Sequence, residues 1–311
     1  MSETGERYKY SVVVPVYNGE HTIRELFLRI KHLFESTNTT FQVVFVEDCG
    51  QDNSWKVISD LKREYSDQII AVKLSRNFGQ HNALLCGFNY VDGDFIITID
   101  DDLQVPPEEI PKLIKKQRDS NSELVYGVYG NKKHNPFRNI GSNLVQKIIQ
   151  HTFKAKGPIT SFRLLSFSLC ERIRNHKQGF VYIEGLFFWH TENITRVEVE
   201  HRKRLVGKSN YSVGKLFRLA INLIFNFTTL PLRVIIGLGI LFSIVSFAIG
   251  IFFILRKIIY EVPLGYTSII VSIYFTSSVL LLILGVIGEY LSRLYALQNS
   301  RPQFSIKEIL K

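Results

Sequence analysis

The chain has 311 residues, enough for one large domain or two of ordinary size, and its formal net charge is +10 at pH 7. This charge suits anionic membranes and phosphate-bearing substrates, and we do not expect nucleic acid as a partner. The cysteines, Cys49, Cys86 and Cys170, are odd in number and far apart. That pattern is typical of reduced thiols in a cytosolic domain and excludes a disulfide scaffold.

The first part of the chain alternates between strand and helix patterns, which predicts an α/β fold with a parallel sheet. Helical patterns run from about Gly19 to Phe34, from Ser54 to about Tyr65, and up to Phe88. The predicted strands are Tyr10–Val16, Phe41–Glu47, Ile69–Leu74, Phe95–Ile99 and Leu124–Val128.

Polar residues follow four of these strands at the points where the strands end. They are Asn18, Glu47 with Asp48, Arg76 with Asn77, and Asp100 with Asp102. In open α/β sheets, ligands bind beyond the carboxyl ends of the strands. The sequence therefore predicts one binding site built from these loops.

Three consecutive carboxylates, Asp100, Asp101 and Asp102, come directly after the fourth predicted strand. Such crowded like charges are best tolerated beside a hard cation, and Mg²⁺ and Mn²⁺ prefer carboxylate oxygens. Because side chains alternate along an extended segment, Asp100 and Asp102 should share one face while Asp101 points away. The pattern predicts a metal bound to a nucleotide diphosphate on Asp100 and Asp102. The alternative is a solvated acidic turn that caps the helix beginning near Pro107.

After about residue 130 the alternation stops. Segments 138–153 and 215–230 have amphipathic helical spacing, and we expect both to lie along a membrane interface unless they pack on the sheet. Two apolar stretches, about 234–256 and 263–288, are long enough to cross a bilayer, and the short link between them predicts a hairpin.

The hairpin places both flanks of the chain on one side of the membrane. Basic residues are concentrated in those flanks, which predicts that both termini are cytoplasmic. The start of the chain is polar, so we expect no signal peptide. The expected organisation is a cytoplasmic α/β domain over 1–212, an interface helix over 213–230, the two membrane helices within 231–289, and a cytoplasmic tail over 290–311.

Several segments together resemble family-two glycosyltransferases: Ser11–Asn18, Val46–Asp52, Leu74–Gly79 and Asp100–Glu108. The resemblance continues through Ser161–Leu164, Arg202, Gly207–Ser212, the apolar stretches and Gly288–Arg293, and so covers nearly the whole chain. In particular, the chain is similar to the polyprenyl-phosphate branch, which includes dolichyl-phosphate mannose synthases and bacterial undecaprenyl-phosphate sugar transferases.

The resemblance implies the nucleotide-diphospho-sugar fold called GT-A, with a catalytic domain on the cytoplasmic side of a bacterial inner membrane. It implies an inverting transfer of sugar from a nucleotide-diphosphate sugar, with UDP favoured over GDP, to undecaprenyl phosphate. It assigns the nucleoside pocket to Pro15, Tyr17, Glu47 and Asp48, with Asp100 nearby. It assigns the metal and catalysis to Asp100 and Asp102. The cations Arg163, Arg202 and Lys208 are our candidates for binding the lipid phosphate and the diphosphate, since arginine suits paired contacts to phosphate. We choose Arg202 first, also for catalysis, because it opens a polar loop leading toward the membrane.

An acceptor phosphate is already anionic near neutral pH, so it can attack without a general base. Members of the branch often carry an acidic residue just before the Phe-Arg-Leu motif, where this chain has Ser161. Glu184 is a spare candidate for a base, although we favour a structural role for it.

Other functions remain open at this point. The acceptor could be a hydroxyl of a lipid-linked glycan, or the chain could be a catalytically silent nucleotide-binding membrane adaptor. A processive polysaccharide synthase is disfavoured because its Gln-x-x-Arg-Trp signature is absent. A homo-oligomer is compatible with the sequence, which does not set the oligomeric state.

Overall fold

A computed structural model describes residues 8–129, 157–176, 180–202, 265–298 and 302–311, together with scattered residues between 234 and 259. The chain divides into two compact units. One consists of Met1–Ser212 with Pro302–Lys311, and the other of Val213–Arg301.

The described part of the first unit contains eight strands and six α-helices. The strands are β1 Tyr10–Val16, β2 Phe41–Glu47, β3 Ile69–Leu74, β4 Phe95–Thr98, β5 Leu124–Tyr129, β6 Arg163–Ser166, β7 Ile194–Val199 and β8 Ile306–Leu310. The helices are α1 Ile23–Ser36, α2 Ser54–Glu64, α3 Gln80–Gly87, α4 Ile110–Ser120, α5 Phe167–Arg174 and α6 Ile183–His190, and a short 3₁₀ helix, Pro107–Glu109, precedes α4.

All eight strands form one sheet in the order β7-β5-β6-β4-β1-β2-β3-β8. The pairs β1–β2, β1–β4, β2–β3 and β5–β7 are parallel, as the sequence predicts for the centre of the sheet. Two strands that were not predicted from the sequence make the sheet mixed. The strand β6 lies antiparallel between β4 and β5, and β8 lies antiparallel beside β3.

The central strands of the sheet are buried on both faces, which explains their nearly unbroken apolar runs. Val12 and Val14 of β1 pack into one core with α1, α2 and α4. Val13 points the other way, into a second core with α3, α5 and α6. The helix α1 presents an apolar stripe to the first core through its fully buried residues Ile23, Leu26, Phe27 and Ile30. The result is a sheet between two helical layers.

The C-terminal end of the chain belongs to this sheet. Residues 290–311, expected to be a tail, instead contain the end of a helix and then β8, and the Ser75 N–H donates to Ser305 O over 2.8 Å where β8 meets β3. This strand was not predicted from the sequence.

In the second unit, the described residues include the helix α7, Tyr266–Gln298. Its stretch Phe275–Ser292 is long and apolar enough to cross a membrane, by length and composition alone. The predicted hairpin stays a prediction, because much of the first stretch, 234–256, lies outside the described residues. The predicted interface segments 138–153 and 213–230 also lie outside them.

Candidate active site

The loops after β1, β2, β3 and β4 meet at one edge of the sheet and are joined by side-chain hydrogen bonds. Asn18 Oδ1 accepts from the Gln51 N–H over 2.8 Å, which ties the first loop to the second. Asp48 accepts from the loop after β3, and Gln80 at the end of that loop donates to Asp100. The loops that carry polar residues after these four strands therefore come together, as expected from their positions at the strand ends.

The backbone at this edge adopts unusual conformations. Asn18, Cys49 and Leu103 have φ values of 57°, 55° and 55°, in the left-handed region that residues other than glycine seldom adopt. They lie in the loops after β1, β2 and β4. Strained backbone of this kind tends to cluster where a fold positions functional groups.

The carboxylate of Asp100 is held from two sides. Gln80 Nε2, at the start of α3, donates to Asp100 Oδ1 over 2.7 Å. Ser161 Oγ, just before β6, donates to Asp100 Oδ2 over 2.6 Å. Both donors fix the orientation of a carboxylate at the end of β4.

The other two carboxylates of the triplet have different surroundings. Asp102 Oδ1 accepts from the Gln104 N–H over 3.1 Å, and Asp102 lines the same pocket as Asp100. Asp101 Oδ2 accepts from the Tyr17 N–H over 3.2 Å and so fastens the loop after β1. The expectation that Asp101 faces away from its two neighbours agrees with these contacts.

The pocket at this edge is lined by polar and aromatic side chains from distant parts of the chain. They include Asp100, Asp102, Gln104, Tyr129, Ser161 and His201. The rings of Tyr129 and His201 lie edge to face with centroids 4.2 Å apart. Burial, followed by the charges of Asp100 and Asp102, raises the pKa of Tyr129, so this phenol stays protonated at neutral pH.

Sequence reasoning missed Tyr129 and His201. The available signals were weak: Tyr129 directly follows a predicted strand, and His201 directly precedes Arg202, which was predicted to bind phosphate. The segment containing His201 is held against the triplet's loop, since the Arg202 N–H donates to Gln104 O over 2.7 Å.

The chemistry of the pocket fits a hard divalent cation. Asp100 and Asp102 supply carboxylate oxygens from one wall, and His201 brings an imidazole into the same pocket. No group of three or more His, Cys, Asp or Glu side chains within the described ranges is arranged to enclose a metal by itself. A cation held here would need further oxygens from water or from a ligand, which is usual for Mg²⁺.

The residues assigned to the nucleoside lie in β1 and β2 and in the loops that follow these strands. Pro15 is buried in β1 opposite Val46 of β2, and the ring of Tyr17 is 43 % exposed. Glu47 Oε1 accepts from the Gly50 N–H over 2.5 Å, while the buried Glu47 Oε2 has no hydrogen-bond partner among the described residues. Burial raises the pKa of Glu47.

Asp48 acts first as an anchor for the backbone. Its two carboxylate oxygens accept from the N–H groups of Phe78 and Gly79 over 2.7 and 2.8 Å. Burial raises the pKa of Asp48, although these two hydrogen bonds act in the opposite direction. Contact of Asp48 with a base or ribose stays a prediction.

The structure separates the three predicted phosphate-binding cations. Arg202 is exposed next to His201, and its Nε donates to Glu200 Oε1 over 2.8 Å. Arg163 is only 1 % exposed, is paired with Glu184, and is not among the residues that line the pocket. Lys208 lies outside the described residues.

Comparison with known proteins adds family information to this geometry. A model of the family "Glycosyl transferase family 2" matches residues 11–174. The chain is 30% identical over 315 residues to an undecaprenyl-phosphate 4-deoxy-4-formamido-L-arabinose transferase from Enterobacter sp., covering 100% of this chain and 96% of that protein. It is 33% identical over 303 residues to an uncharacterized glycosyltransferase from Synechocystis sp., covering 96% of this chain and 95% of that one.

Among solved structures, glucosyl-3-phosphoglycerate synthase from Mycobacterium tuberculosis in complex with phosphoglyceric acid has a similar fold. The TM-score is 0.51 at 17% identity, over 71% of this chain and 79% of that chain. A structure of the same enzyme with Mn²⁺, UDP-glucose and phosphoglyceric acid gives 0.51 at 18% identity, over 71% and 78% of the two chains. At this identity the likeness concerns the fold alone.

Proposed function

The chain belongs to glycosyl transferase family 2, and from this premise we propose that it transfers one sugar from a nucleotide-diphosphate sugar to undecaprenyl phosphate at the cytoplasmic face of a bacterial inner membrane. The observation that carries the proposal is the placement of Asp100 and Asp102 in one pocket at the carboxyl edge of a family-two fold. Similarity along the full length of the Enterobacter transferase supports the choice of acceptor.

Asp100 and Asp102 would hold Mg²⁺ or Mn²⁺ against the donor diphosphate. When bound, such a cation neutralises the charge that develops on the departing nucleotide diphosphate. Gln80 and Ser161 keep the Asp100 carboxylate in a fixed orientation for this task. Holding a charged group in place before the reaction avoids reorganisation during it.

The acceptor's own charge replaces a general base. A phosphate oxygen of the lipid attacks the anomeric carbon and forms the new carbon–oxygen bond, while the bond to the diphosphate breaks and its electron pair leaves with the nucleotide. Attack from the side opposite the leaving group inverts the anomeric centre. Glu184 is a poor candidate for a base, because the whole residue is only 7 % exposed and its carboxylate accepts from Arg163 and Tyr126.

The donor site would extend from the triplet to the ends of β1 and β2. The unpartnered Glu47 Oε2 can accept a hydrogen bond from a base that carries an imide N–H, such as uracil, and guanine carries a comparable donor. The exposed ring of Tyr17 provides a surface on which a base can stack. Both contacts are open to uracil and to guanine, so the preference for UDP over GDP stays a prediction.

Arg202 and Lys208 would bind the phosphates of lipid and donor. Arginine suits this role because its guanidinium makes paired hydrogen bonds to phosphate oxygens. The apolar stretch of α7 would anchor the chain in the bilayer, which brings a lipid-linked acceptor within reach.

A panel of labelled nucleotide sugars tests the proposal. Membranes containing the wild-type chain are incubated with UDP- and GDP-linked sugars and a divalent cation, the lipids are extracted, and the product is treated with mild acid. Membranes containing Asp102→Ala serve as the control. We expect label in a lipid that mild acid cleaves, and only with the wild-type chain.

Other outcomes identify the alternatives. Label in a lipid that resists mild acid would indicate a hydroxyl acceptor. Absence of label with every donor, together with retained nucleotide binding, would indicate a catalytically silent adaptor.

A further inference from the structure

A buried ion pair lies beneath the candidate active site. Arg163 Nη1 contacts both carboxylate oxygens of Glu184 at 2.5 Å, and the two side chains are 1 % and 9 % exposed. The Tyr126 hydroxyl donates to Glu184 Oε2 over 3.0 Å, and the Arg163 guanidinium lies 4.8 Å from the centre of the Phe187 ring. The pair is therefore surrounded by partners and closed to solvent.

This ion pair is connected to Asp100 by a continuous series of hydrogen bonds. Arg163 Nε donates to Thr98 Oγ1 over 3.0 Å, and Thr98 Oγ1 donates to Ser161 O over 2.5 Å. Ser161 Oγ in turn donates to Asp100 Oδ2 over 2.6 Å. Because Thr98 is two residues before Asp100, the two side chains leave the backbone on the same side.

A contribution to the stability of the fold does not by itself explain why this ion pair is buried. Taking two charges out of water costs as much as their attraction returns in many proteins, and apolar residues of similar volume serve equally well. A charge pair with every partner in place does, however, fix one arrangement of the groups around it. The group at the end of this series is the carboxylate proposed to bind the metal.

We propose that Arg163, with its counter-ion Glu184, is a positioning residue that acts through Thr98 and Ser161 to hold the Asp100 carboxylate in its metal-binding orientation. The inference rests on the proposed function of Asp100 and replaces direct phosphate binding as the role of Arg163. Gln80 holds the other oxygen of Asp100 from α3, so the carboxylate is fixed between two separate parts of the fold. Outer partners of this kind tune the affinity of metal ligands.

The test removes the middle hydroxyl and measures binding without turnover. Thr98→Val keeps the shape of the side chain but breaks the connection, Thr98→Ser restores the hydroxyl, and Thr195→Val on β7 is the matched control. Binding of Mn²⁺ in the presence of UDP is followed by the electron paramagnetic resonance signal of free Mn²⁺, and thermal melting is recorded for each purified full-length variant.

We expect Thr98→Val to weaken Mn²⁺ binding by about tenfold, with Thr98→Ser and Thr195→Val close to wild type. A purely structural role for Thr98 would lower the melting temperature without changing the Mn²⁺ affinity of the folded protein, and that result would overturn the proposal. Failure of Thr98→Ser to restore affinity would also overturn it.

A milder variant covers the case in which Thr98→Val does not fold. Tyr126→Phe removes one hydrogen bond from Glu184 and leaves the charges intact, and we expect a smaller loss of Mn²⁺ affinity. Unchanged affinity in that variant would contradict the proposed positioning.

If the wild-type chain itself bound no Mn²⁺ with UDP, the metal site of the proposed function would fail, and the positioning role with it. Wild-type binding with no effect of either variant would overturn the positioning role alone.

Discussion

Ser161 Oγ donates a hydrogen bond to Asp100 Oδ2 over 2.6 Å. The position at which related polyprenyl-phosphate transferases often carry an acidic residue therefore holds a donor that orients the acidic triplet. A second carboxylate here would face Asp100 with like charge. A serine instead of an acidic residue at position 161 is consistent with the proposed reaction, which needs a well-oriented metal ligand at Asp100 and no additional general base.

Ser161→Ala removes this donor, together with the hydrogen bond between Ser161 and the Tyr129 side chain. We expect kcat to fall by about tenfold, because Asp100 then loses the donor to Oδ2 that, together with Gln80 at Oδ1, fixes its orientation. The matched control is Ser36→Ala at the exposed end of α1, whose hydroxyl donates to Leu33 O. Equal activity of the two variants in a labelled-lipid assay would show that the hydrogen bond has no role in catalysis.

Asp102→Ala should abolish transfer while the protein stays folded, since Asp102 is proposed to bind the metal. We expect a loss of at least about 100-fold in kcat/KM, and chelation of divalent cations should have the same effect on wild type. Asp119→Ala, at the end of α4 and away from the pocket, serves as the control. Full activity of Asp102→Ala would refute the metal-site assignment.

Glu184→Gln should destabilise the fold, because Arg163 then keeps its charge in the core without a counter-ion. Breaking a buried pair in this way costs about 3–5 kcal/mol. For a domain of this size that corresponds to a melting temperature lower by about 6–20 °C. Glu171→Gln removes the partner of Arg174 in an exposed pair and should change melting very little. Similar melting of the two variants would contradict the burial of Glu184.

Asp48→Asn tests the anchor between the loops after β2 and β3. An amide has one acceptor oxygen, so only one of the N–H groups of Phe78 and Gly79 can keep its partner. We expect a loss of about 1–3 kcal/mol in unfolding free energy and weaker UDP binding. Asp60→Asn on α2, whose partner Arg63 is exposed, is the control for the loss of a surface carboxylate.

The stability of the folded protein should depend on pH through Glu47. Its pKa is raised in the folded protein by burial, so the folded state binds this proton more tightly than the unfolded state does. The stabilisation linked to this group is therefore present at low pH and is lost as pH rises through the raised pKa. Glu47→Gln should remove that part of the pH dependence of melting.

Nucleotide binding should respond to pH in the opposite direction. If ionised Glu47 accepts a hydrogen bond from the base, UDP affinity should fall on acidification, beginning above the usual titration range of a carboxyl group. Calorimetric titration of UDP between neutral and mildly acidic pH measures this. An affinity that falls equally in wild type and Glu47→Gln would show that another group controls it.

The central fold could be predicted from the sequence because its signals are local. The bounds of β1, β2 and β3 follow directly from continuous runs of apolar, β-branched residues. The strand β6 has no such signal: it is four residues long and begins with Arg163, which reads as a surface residue. The arginine is buried because Glu184, distant in sequence, accompanies it, and only the folded chain brings the two together.

The candidate site also contains some residues that could be predicted from local sequence and others that could not. Asp100 and Asp102 could be identified because three adjacent carboxylates after a strand are a local pattern with few explanations. Tyr129, Ser161 and His201 reach the same pocket from three other segments. Their approach depends on the antiparallel insertion of β6 between β4 and β5, which strand patterns alone do not reveal.

The pairing of β8 with β3 has a consequence for biosynthesis. The chain leaves the ribosome from its N-terminus, and roughly 230 residues, including α7, are made between the end of β3 and the start of β8. At about 5–20 residues per second, this takes on the order of ten seconds or more, during which the outer edge of β3 lacks this partner. An open strand edge is a template for pairing with other chains. Because β8 follows α7 in the chain, the sheet gains its eighth strand only after the apolar helix has been made.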